Sequence, residues 1–463
     1  MTTMKFLYRL KQILLLFGDI LLFILSLFLS LGLRNLELPE TSKLQENLSV
    51  FFYIFPLWLI LNYINGLYDF KKISQKKSIK TLLQTALTSF LLSIAIFYVF
   101  PFPNVAPKTI LIFTVIISYT LIFIWRKIYL TIISSTKLKN NLLFLEYNKE
   151  VDEMINILNK QKHLGFEIKA VIDETNTLQD TNNLKIYNSL DDLEKIVAEN
   201  NIHIIVTDSN FQKDEKYVQE LYKLLFKQIK IFNISNFYEN ITGRIPPSVF
   251  NKSWFLQNLS EIDKPIYNKF IRLLDIVTIF IFSIFFVIFL PLIALAIKST
   301  SKGKIFFKQQ RLGKNGQVFW IYKFRTMYSL AKDGSAEMNG AEFAQKNDKR
   351  VTSIGKFLRK TRLDELPQII NLIKGEITLI GPRPERPEIC NNLQAEMPYY
   401  NLRHILKPGI TGWAQVQQNY TDNLETSIQK FQYDLFYIKN RSIFLDLSIL
   451  LKTVNVILRA MGQ

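Results

Sequence analysis

Cysteine is nearly absent. Cys390 is the single thiol in 463 residues, so neither an intrachain disulfide nor a cysteine-cluster metal site can form. Histidine is almost as scarce: His163, His203 and His404 stand far apart, which argues against a histidine-rich metal centre. The last third of the chain therefore offers no Ser-His-Asp set and no partnered thiolate. Acids are outnumbered, 39 against 57 Lys and Arg, for a net charge of +18. That balance attracts nucleic acid, acidic lipid or phosphorylated compounds. Long apolar segments favour the last two, and no nucleic-acid partner is expected.

Apolar residues are plentiful, 49% of the chain with 37 Phe, and they crowd into the first 130 positions and again into 273–297. Four segments, 13–33, 48–67, 82–100 and 108–130, approach the ~20 residues that span a bilayer. The first is too long for a signal-peptide core and is expected to stay. Lys5, Arg9 and Lys11 precede it, Lys71, Lys72, Lys76, Lys77 and Lys80 fill the second loop, and Arg126, Lys127, Lys137 and Lys139 follow the fourth. Positive charge marks the cytoplasmic side, so residues 1–135 form a four-helix transmembrane bundle with both ends in the cytoplasm. Asp19, an acid inside the first segment, calls for a buried partner.

From 140 to 250 the pattern changes to short strands, NLLFLEY, FEIKAVID, HIIVTD and KIFNIS, with helices over 150–162, 189–200 and 214–228. This is a Rossmann-like α/β module. Its phosphate turn is missing, because LLFLEYNKEVDEM has no glycine where G-x-G-x-x-G would lie. A spacer, regulatory or oligomerising role and a nucleotide site are both open.

The run from Leu273 to Ile297 could cross the membrane again, yet Lys264, Lys269 and Arg272 stand before it and Lys298, Lys302, Lys304 and Lys308 after it. Both ends then belong in the cytoplasm, and Pro291 provides a place for the helix to break and re-enter. The alternative is a kinked fifth span. Beyond it lies a basic, mixed α/β segment. Its IFFKQQRLG and VFWIYKFRTM form a hairpin around Lys314-Asn315-Gly316. Residues 328–349 read as a lid or a connector, and the basic stretch 349–362, Arg359 included, as a helix on an anionic membrane surface.

Within that segment Asp364 and Glu365 precede Pro367, which suits a helix's first turn, and Leu366, Ile369, Ile370 and Ile373 recur at helical spacing behind it. Two acids at a helix start can simply complement the dipole. Here Arg325, Arg383 and Arg386 lie in the same segment, and Pro382 and Pro384 stiffen the backbone around Arg383. A carboxylate pair among guanidinium groups points to phosphoryl transfer, in which one acid attacks and another holds Mg²⁺.

KFRTM (323–327), RVTSIGKFLRKTRLDELPQIINLIKGEITLIGPRP (350–384), KPGITGWAQV (407–416) and YDLFYIKNRSIFLDLSILLKT (433–453) closely resemble the bacterial sugar transferase family in its long form. These are monotopic polyprenyl-phosphate phosphoglycosyl transferases, and the match covers 264–463. The resemblance implies a re-entrant membrane helix followed by a catalytic domain, with Pro291 matching the proline of the family's broken helix and Leu290 standing where a small polar residue is common. It implies that Asp364 attacks a UDP-sugar, releasing UMP, and that undecaprenyl phosphate then takes the phosphosugar, the first membrane step of exopolysaccharide, capsule or O-antigen synthesis. Glu365 would bind Mg²⁺, and Lys323, Arg325, Arg359, Pro382, Arg383, Pro384 and Arg386 would contact substrate. The setting is the bacterial inner membrane, with the catalytic domain facing the cytoplasm and a homodimer as the expected assembly. The rivals are a membrane-bound nucleotide-sugar dehydratase, which would need the missing glycines and a Tyr-x-x-x-Lys pair that YIKN and YNKE do not supply, and a non-catalytic lipid-binding scaffold.

Overall fold

A computed structural model describes residues 2–69, 78–100, 107–134, 139–174, 184–190, 192–208, 215–259, 264–328, 348, 350–418 and 423–458. Most of the expected lid or connector, 328–349, lies outside them. The chain forms two compact units, Met1–Ile241 and Thr242–Gln463.

The first unit opens with α1 (Thr2–Asn35), α2 (Thr41–Ile64), α3 (Ser78–Val99) and α4 (Pro107–Ser134), each containing a stretch long and apolar enough to cross a membrane. Phe23, Leu27, Phe51, Ile54, Trp58 and Ile122 fill the interior between them. Hydroxyls bind the helices together where apolar contact alone gives little driving force in lipid: Ser26 meets Ser118 at 2.5 Å, and the Trp58 indole donates to Ser93 Oγ at 2.9 Å. The partner required by Asp19 is Arg126, whose Nη2 donates to Asp19 Oδ2 at 2.7 Å, joined by the Tyr68 hydroxyl at 2.8 Å.

The α/β module comes next, with β1 (Asn140–Phe144), α5 (Lys149–Lys160), β2 (Phe166–Ile172), β3 (Lys185–Tyr187), α6 (Leu193–Glu199), β4 (Ile204–Thr207), α7 (Glu215–Leu224), β5 (Lys230–Asn233) and α8 (Ile234–Thr242). The five strands are parallel in the order β3-β2-β1-β4-β5, with β1 central and its Leu142, Leu143 and Phe144 inaccessible. Burial on both faces explains why the strands read as short continuous apolar runs. The strand absent from the sequence reading is β3, too short and too polar to stand out, which pairs Ala170 with Lys185. After β1, where a dinucleotide fold would place its glycines, stands Glu146. Burial and the nearby Asp208, Glu174 and Glu150 raise its pKa, a setting that repels a pyrophosphate.

The second unit contains α9 (Lys252–Leu259), α10 (Pro265–Thr300), the hairpin β6 (Phe306–Leu312) and β7 (Val318–Phe324), α11 (Ser353–Thr361), a tight turn Leu363–Gln368, α12 (Ile369–Lys374), β8 (Thr378–Ile380), α13 (Pro387–Glu396), β9 (Gly409–Thr411), α14 (Trp413–Gln417), α15 (Leu424–Asn440) and α16 (Ile443–Leu458). The hairpin is in register from Phe306↔Phe324 to Leu312↔Val318, and Asn315 and Gly316 take the positive φ its turn requires. Of the apolar window of α10 only 6% is buried within the protein, against 22 to 50% for the four bundle helices, so its surface suits lipid.

The break expected at Pro291 does not interrupt the helix. Pro291 lies inside the single helix α10. A proline removes one amide donor and crowds the preceding turn, and a long helix can absorb this as a bend without ending. Phe286, Leu290, Ile293 and Ile297, spaced to share one face across the proline, pack in a cluster with Phe324 and Leu358. Both ends of the helix are tied to this same unit. Near its start the Tyr267 hydroxyl donates to Asp446 at 2.5 Å; at its end Arg325 donates to the Lys302 and Ser301 carbonyls at 2.5 and 2.7 Å.

Candidate active site

The carboxylate pair is delivered by a short relay of elements. Thr352 caps α11, accepting from Gly355 N at 2.9 Å. Gly355 is obligatory for space: a Cβ there would lie 1.9 Å from the Thr326 carbonyl, so α11 presses directly on KFRTM. At the other end of α11, Arg362 adopts φ 61°, ψ 13°, and reverses the chain into the turn Leu363–Gln368. Asp364 and Glu365 occupy that turn, just ahead of α12, as Pro367 suggested. The buried face behind them is Ile369 and Leu372; Ile373, expected inside, is 54% exposed, because the tight turn shifts the helical phase. Asn371 is wholly buried and serves as a staple, accepting from Tyr322 N at 3.1 Å and donating to Trp320 O at 2.6 Å on β7.

The two acids have opposite environments. Glu365 Oε1 accepts from Lys323 Nζ at 2.8 Å and Arg383 Nη2 at 2.7 Å, with Arg362 Nη1 at 3.8 Å. Burial disfavours its charge, yet Arg383, Lys323 and Arg362 together hold its carboxyl well below the usual range. Asp364 is buried, and its Oδ1 has no hydrogen-bond partner among the described residues. Burial raises its pKa over the pull of Lys323, helped by the charge on Glu365. Adjacent groups pushed apart in this way are suited to different roles.

They border a cavity of about 670 Å³, whose wall also includes Phe282, Arg311, Lys323, Arg325, Arg359, Arg362, Arg383, Glu385, Arg386, Gln415 and Lys430. Behind Arg383 lies a second charged cluster. Arg403, buried, donates to the Arg383 carbonyl at 2.8 Å and to the Tyr400 hydroxyl at 2.6 Å, and pairs with Asp434 at 2.7 Å. Glu385 meets Lys430 and Arg311; although burial disfavours its charge, Lys430, Arg403 and Arg311 push its pKa down to about 2.

The family model described as bacterial sugar transferase matches residues 266–460. The chain is 38% identical to the exopolysaccharide production protein PSS of Rhizobium leguminosarum bv. phaseoli over 171 residues, 36% of this chain and 84% of that protein. It belongs to the bacterial sugar transferase family. It is also 40% identical over 234 residues to the UDP-N-acetylgalactosamine-undecaprenyl-phosphate N-acetylgalactosaminephosphotransferase of Aeromonas hydrophila, covering 50% of this chain and 53% of that protein. With the UDP-glucose:undecaprenyl-phosphate glucose-1-phosphate transferase of Klebsiella pneumoniae it shares 33% identity over 314 residues, 65% of this chain and 64% of that protein. The chain thus spans between about half and two thirds of the length of these last two relatives.

Asp364, Glu365, Lys323 and Arg383 are brought together at the cavity wall. Arg359 also lines the cavity, its Nε donating to Thr326 Oγ1 at 2.9 Å, and Arg386 stands at the wall with Nε 3.5 Å from Glu388. Pro382 and Pro384 hold Arg383 through their carbonyls, which accept from Gly409 N at 2.9 Å and Arg311 Nη1 at 3.2 Å. Arg325 borders the cavity, and each of its terminal nitrogens donates to one carbonyl at the end of α10, so it ties that helix to the site. Pro291 is not in the cavity wall; Phe282 of the same helix is. Sequence reasoning missed Arg311, Glu385, Arg403, Lys430 and Asp434. Glu385, next to GPRP, carried the one local signal.

Proposed function

We propose that this protein is a phosphoglycosyl transferase that moves a sugar-1-phosphate from a UDP-sugar to undecaprenyl phosphate. An Asp364 oxygen attacks the sugar-bearing phosphorus; the Asp–O–P bond forms as the bond to the bridging oxygen breaks, and UMP leaves with that bond's electron pair. An oxygen of undecaprenyl phosphate then attacks the same phosphorus, returning the Asp364 carboxylate and giving an undecaprenyl diphosphosugar. The observation that carries this reading is the contrast within the pair. Asp364 has, at the cavity wall, an oxygen without a hydrogen-bond partner among the described residues, whereas Glu365 is pinned by cations. The raised pKa of Asp364 makes its carboxylate more basic and a better attacking group once ionised. Lys323, Arg362 and Arg383 sit where the charge of a diphosphate needs compensation.

Lys323 and Arg383 both meet Glu365 at Oε1, so Glu365 would hold a Mg²⁺ through its other oxygen, Oε2. Such an ion, when bound, neutralises charge developing on the transferring and leaving phosphates. The relatives' names point to undecaprenyl phosphate as acceptor and to hexose or N-acetylhexosamine donors.

The second unit lies, in this reading, on the cytoplasmic side of the bacterial inner membrane, where UDP-sugars are made. A straight helix of 36 residues would run about 54 Å, and a crossing helix would separate its ends by a bilayer. Both ends of α10 are instead bonded to one polar unit, which favours a re-entrant path with Pro291 as its bend. Purified protein with a UDP-sugar, undecaprenyl phosphate and Mg²⁺ is expected to release UMP, and Asp364→Asn to abolish release. Release by that variant at the wild-type rate removes Asp364 from the role.

A further inference from the structure

The four-helix bundle has a feature that the transferase chemistry does not use. Arg126 is 5% exposed; its Nη2 donates to Asp19, and its guanidinium stands 5.4 Å from the centre of the Tyr68 ring. Nε and Nη1 are buried with no hydrogen-bond partner among the described residues. Leaving two guanidinium nitrogens without an acceptor inside a bundle is costly, and the cost falls if an acceptor sits beside them. Arg126 borders a cavity of about 180 Å³ whose wall also contains Lys127, Ser78 and Thr81, with Leu82 and Phe123 as its apolar part. Ser78 and Thr81 belong to the first turn of α3, a 22-residue helix whose start favours negative charge. Asp19 offsets one of the two cations, so Arg126 and Lys127 leave the pocket with a surplus positive charge.

We infer that this pocket binds a phosphate group, and that the group belongs to an anionic membrane lipid. The cavity is smaller than the ~300 Å³ from which sites for drug-sized ligands begin, so it excludes a nucleotide sugar but admits a phosphate. The apolar wall suits the hydrocarbon part of a phospholipid. Beside it, Ile79 and Leu83 are 52% and 65% exposed on the surface of a helix apolar enough to cross a membrane. Leu67 and Ser78 of the pocket wall flank, in the sequence, a lysine-rich stretch with Lys71, Lys72, Lys76 and Lys77, a charge pattern around which anionic headgroups gather.

The test uses the full chain, delipidated in detergent, with phosphatidylglycerol, with phosphatidylcholine of the same acyl chains, or with inorganic phosphate. Asp19→Asn/Arg126→Gln removes both charges of the buried pair, so neither is left alone. Lys127→Gln, at an exposed position, leaves the pair intact. Native mass spectrometry is expected to show wild type retaining one more phosphatidylglycerol per chain than the double variant, with no such difference for phosphatidylcholine. Lys127→Gln should weaken phosphatidylglycerol binding about tenfold, the loss of one charge-assisted contact. If inorganic phosphate alone raises the melting temperature of wild type but not of the variants, the site stands and its occupant is a soluble phosphate. Equal phosphatidylglycerol retention by wild type, Lys127→Gln and the double variant, with no phosphate-dependent shift in any of them, overturns the inference. Should the double variant fail to fold, Lys127→Gln carries the same comparison.

Discussion

Replacing Arg403 by Met should weaken the second unit and loosen Arg383 together. The Arg403 and Asp434 side chains are 1% and 2% exposed and 2.7 Å apart. Removing the guanidinium leaves Asp434 without its main counter-ion in a dry site, which costs either an unpaired charge or its protonation, and takes one of three cations from Glu385. Losing one partner of a buried pair costs about 3–5 kcal/mol. For a unit of this size that lowers the melting temperature by about 6–20 °C. The Arg383 carbonyl also loses its 2.8 Å donor, so KM for the UDP-sugar should rise. The assay is a thermal melt in detergent beside UMP-release kinetics, for Arg403→Met, Asp434→Asn and the double variant. Coupling of about 1–3 kcal/mol is expected, with the double variant more stable than Arg403→Met. A melt within about 2 °C of wild type, combined with an unchanged KM, would refute the reasoning that Arg403 supports the site.

A Cβ on Gly409 would lie 2.0 Å from Gly381 N and 2.6 Å from Thr411 O, both backbone atoms, so Gly409→Ala must part β8 from β9; a loss of about 1–3 kcal/mol or more and a fall in kcat should result in melts and turnover assays. On the proposed mechanism Asp364 attacks as the carboxylate, and its pKa is raised, so activity should be full at high pH and fall, as pH drops, above the ordinary aspartate range. A pH–rate profile with its acid limb at or below pH 3.8 contradicts this. Glu385 is held at about 2 in the folded state, so its stabilisation is complete above about pH 4.5 and lost as pH falls towards 2; Glu385→Gln should flatten the melting-temperature profile in that window. Arg325→Lys keeps a charge but cannot span both the Ser301 and Lys302 carbonyls, and faster limited proteolysis at the end of α10 should reveal the lost clamp.

How much the sequence discloses depends on the range of the interactions involved. Asn315-Gly316 and Pro367 act on their own backbone, so the hairpin and the carboxylate turn are legible from the residues alone. Bundle helices are legible because a bilayer demands length and flanking charge. Strand β3 is not, since three residues after a polar stretch show no period. Nor is the phase that exposes Ile373, which depends on the left-handed Arg362 and the tight turn after it. Asn371 reads as a surface polar residue until β7 stands beside it. The Arg403, Asp434, Glu385, Lys430 and Arg311 cluster draws on segments more than 100 residues apart, and nothing local distinguishes a buried charge from a solvated one. Arg325 borders the cavity as a basic residue of KFRTM, and its bonds to the Ser301 and Lys302 carbonyls at the end of α10 are a further role that the sequence does not disclose.

In the proposed reaction Asp364 carries the phosphosugar between donor and acceptor. The most direct measurement is the intact mass of protein quenched after mixing with a UDP-sugar in the absence of undecaprenyl phosphate, with peptide mapping of the product. A covalent gain of one sugar phosphate on the peptide containing Asp364, matched by UMP release and discharged on adding undecaprenyl phosphate, is the predicted result. Turnover to undecaprenyl diphosphosugar with no such adduct at any time, or equal turnover by Asp364→Asn, would contradict it.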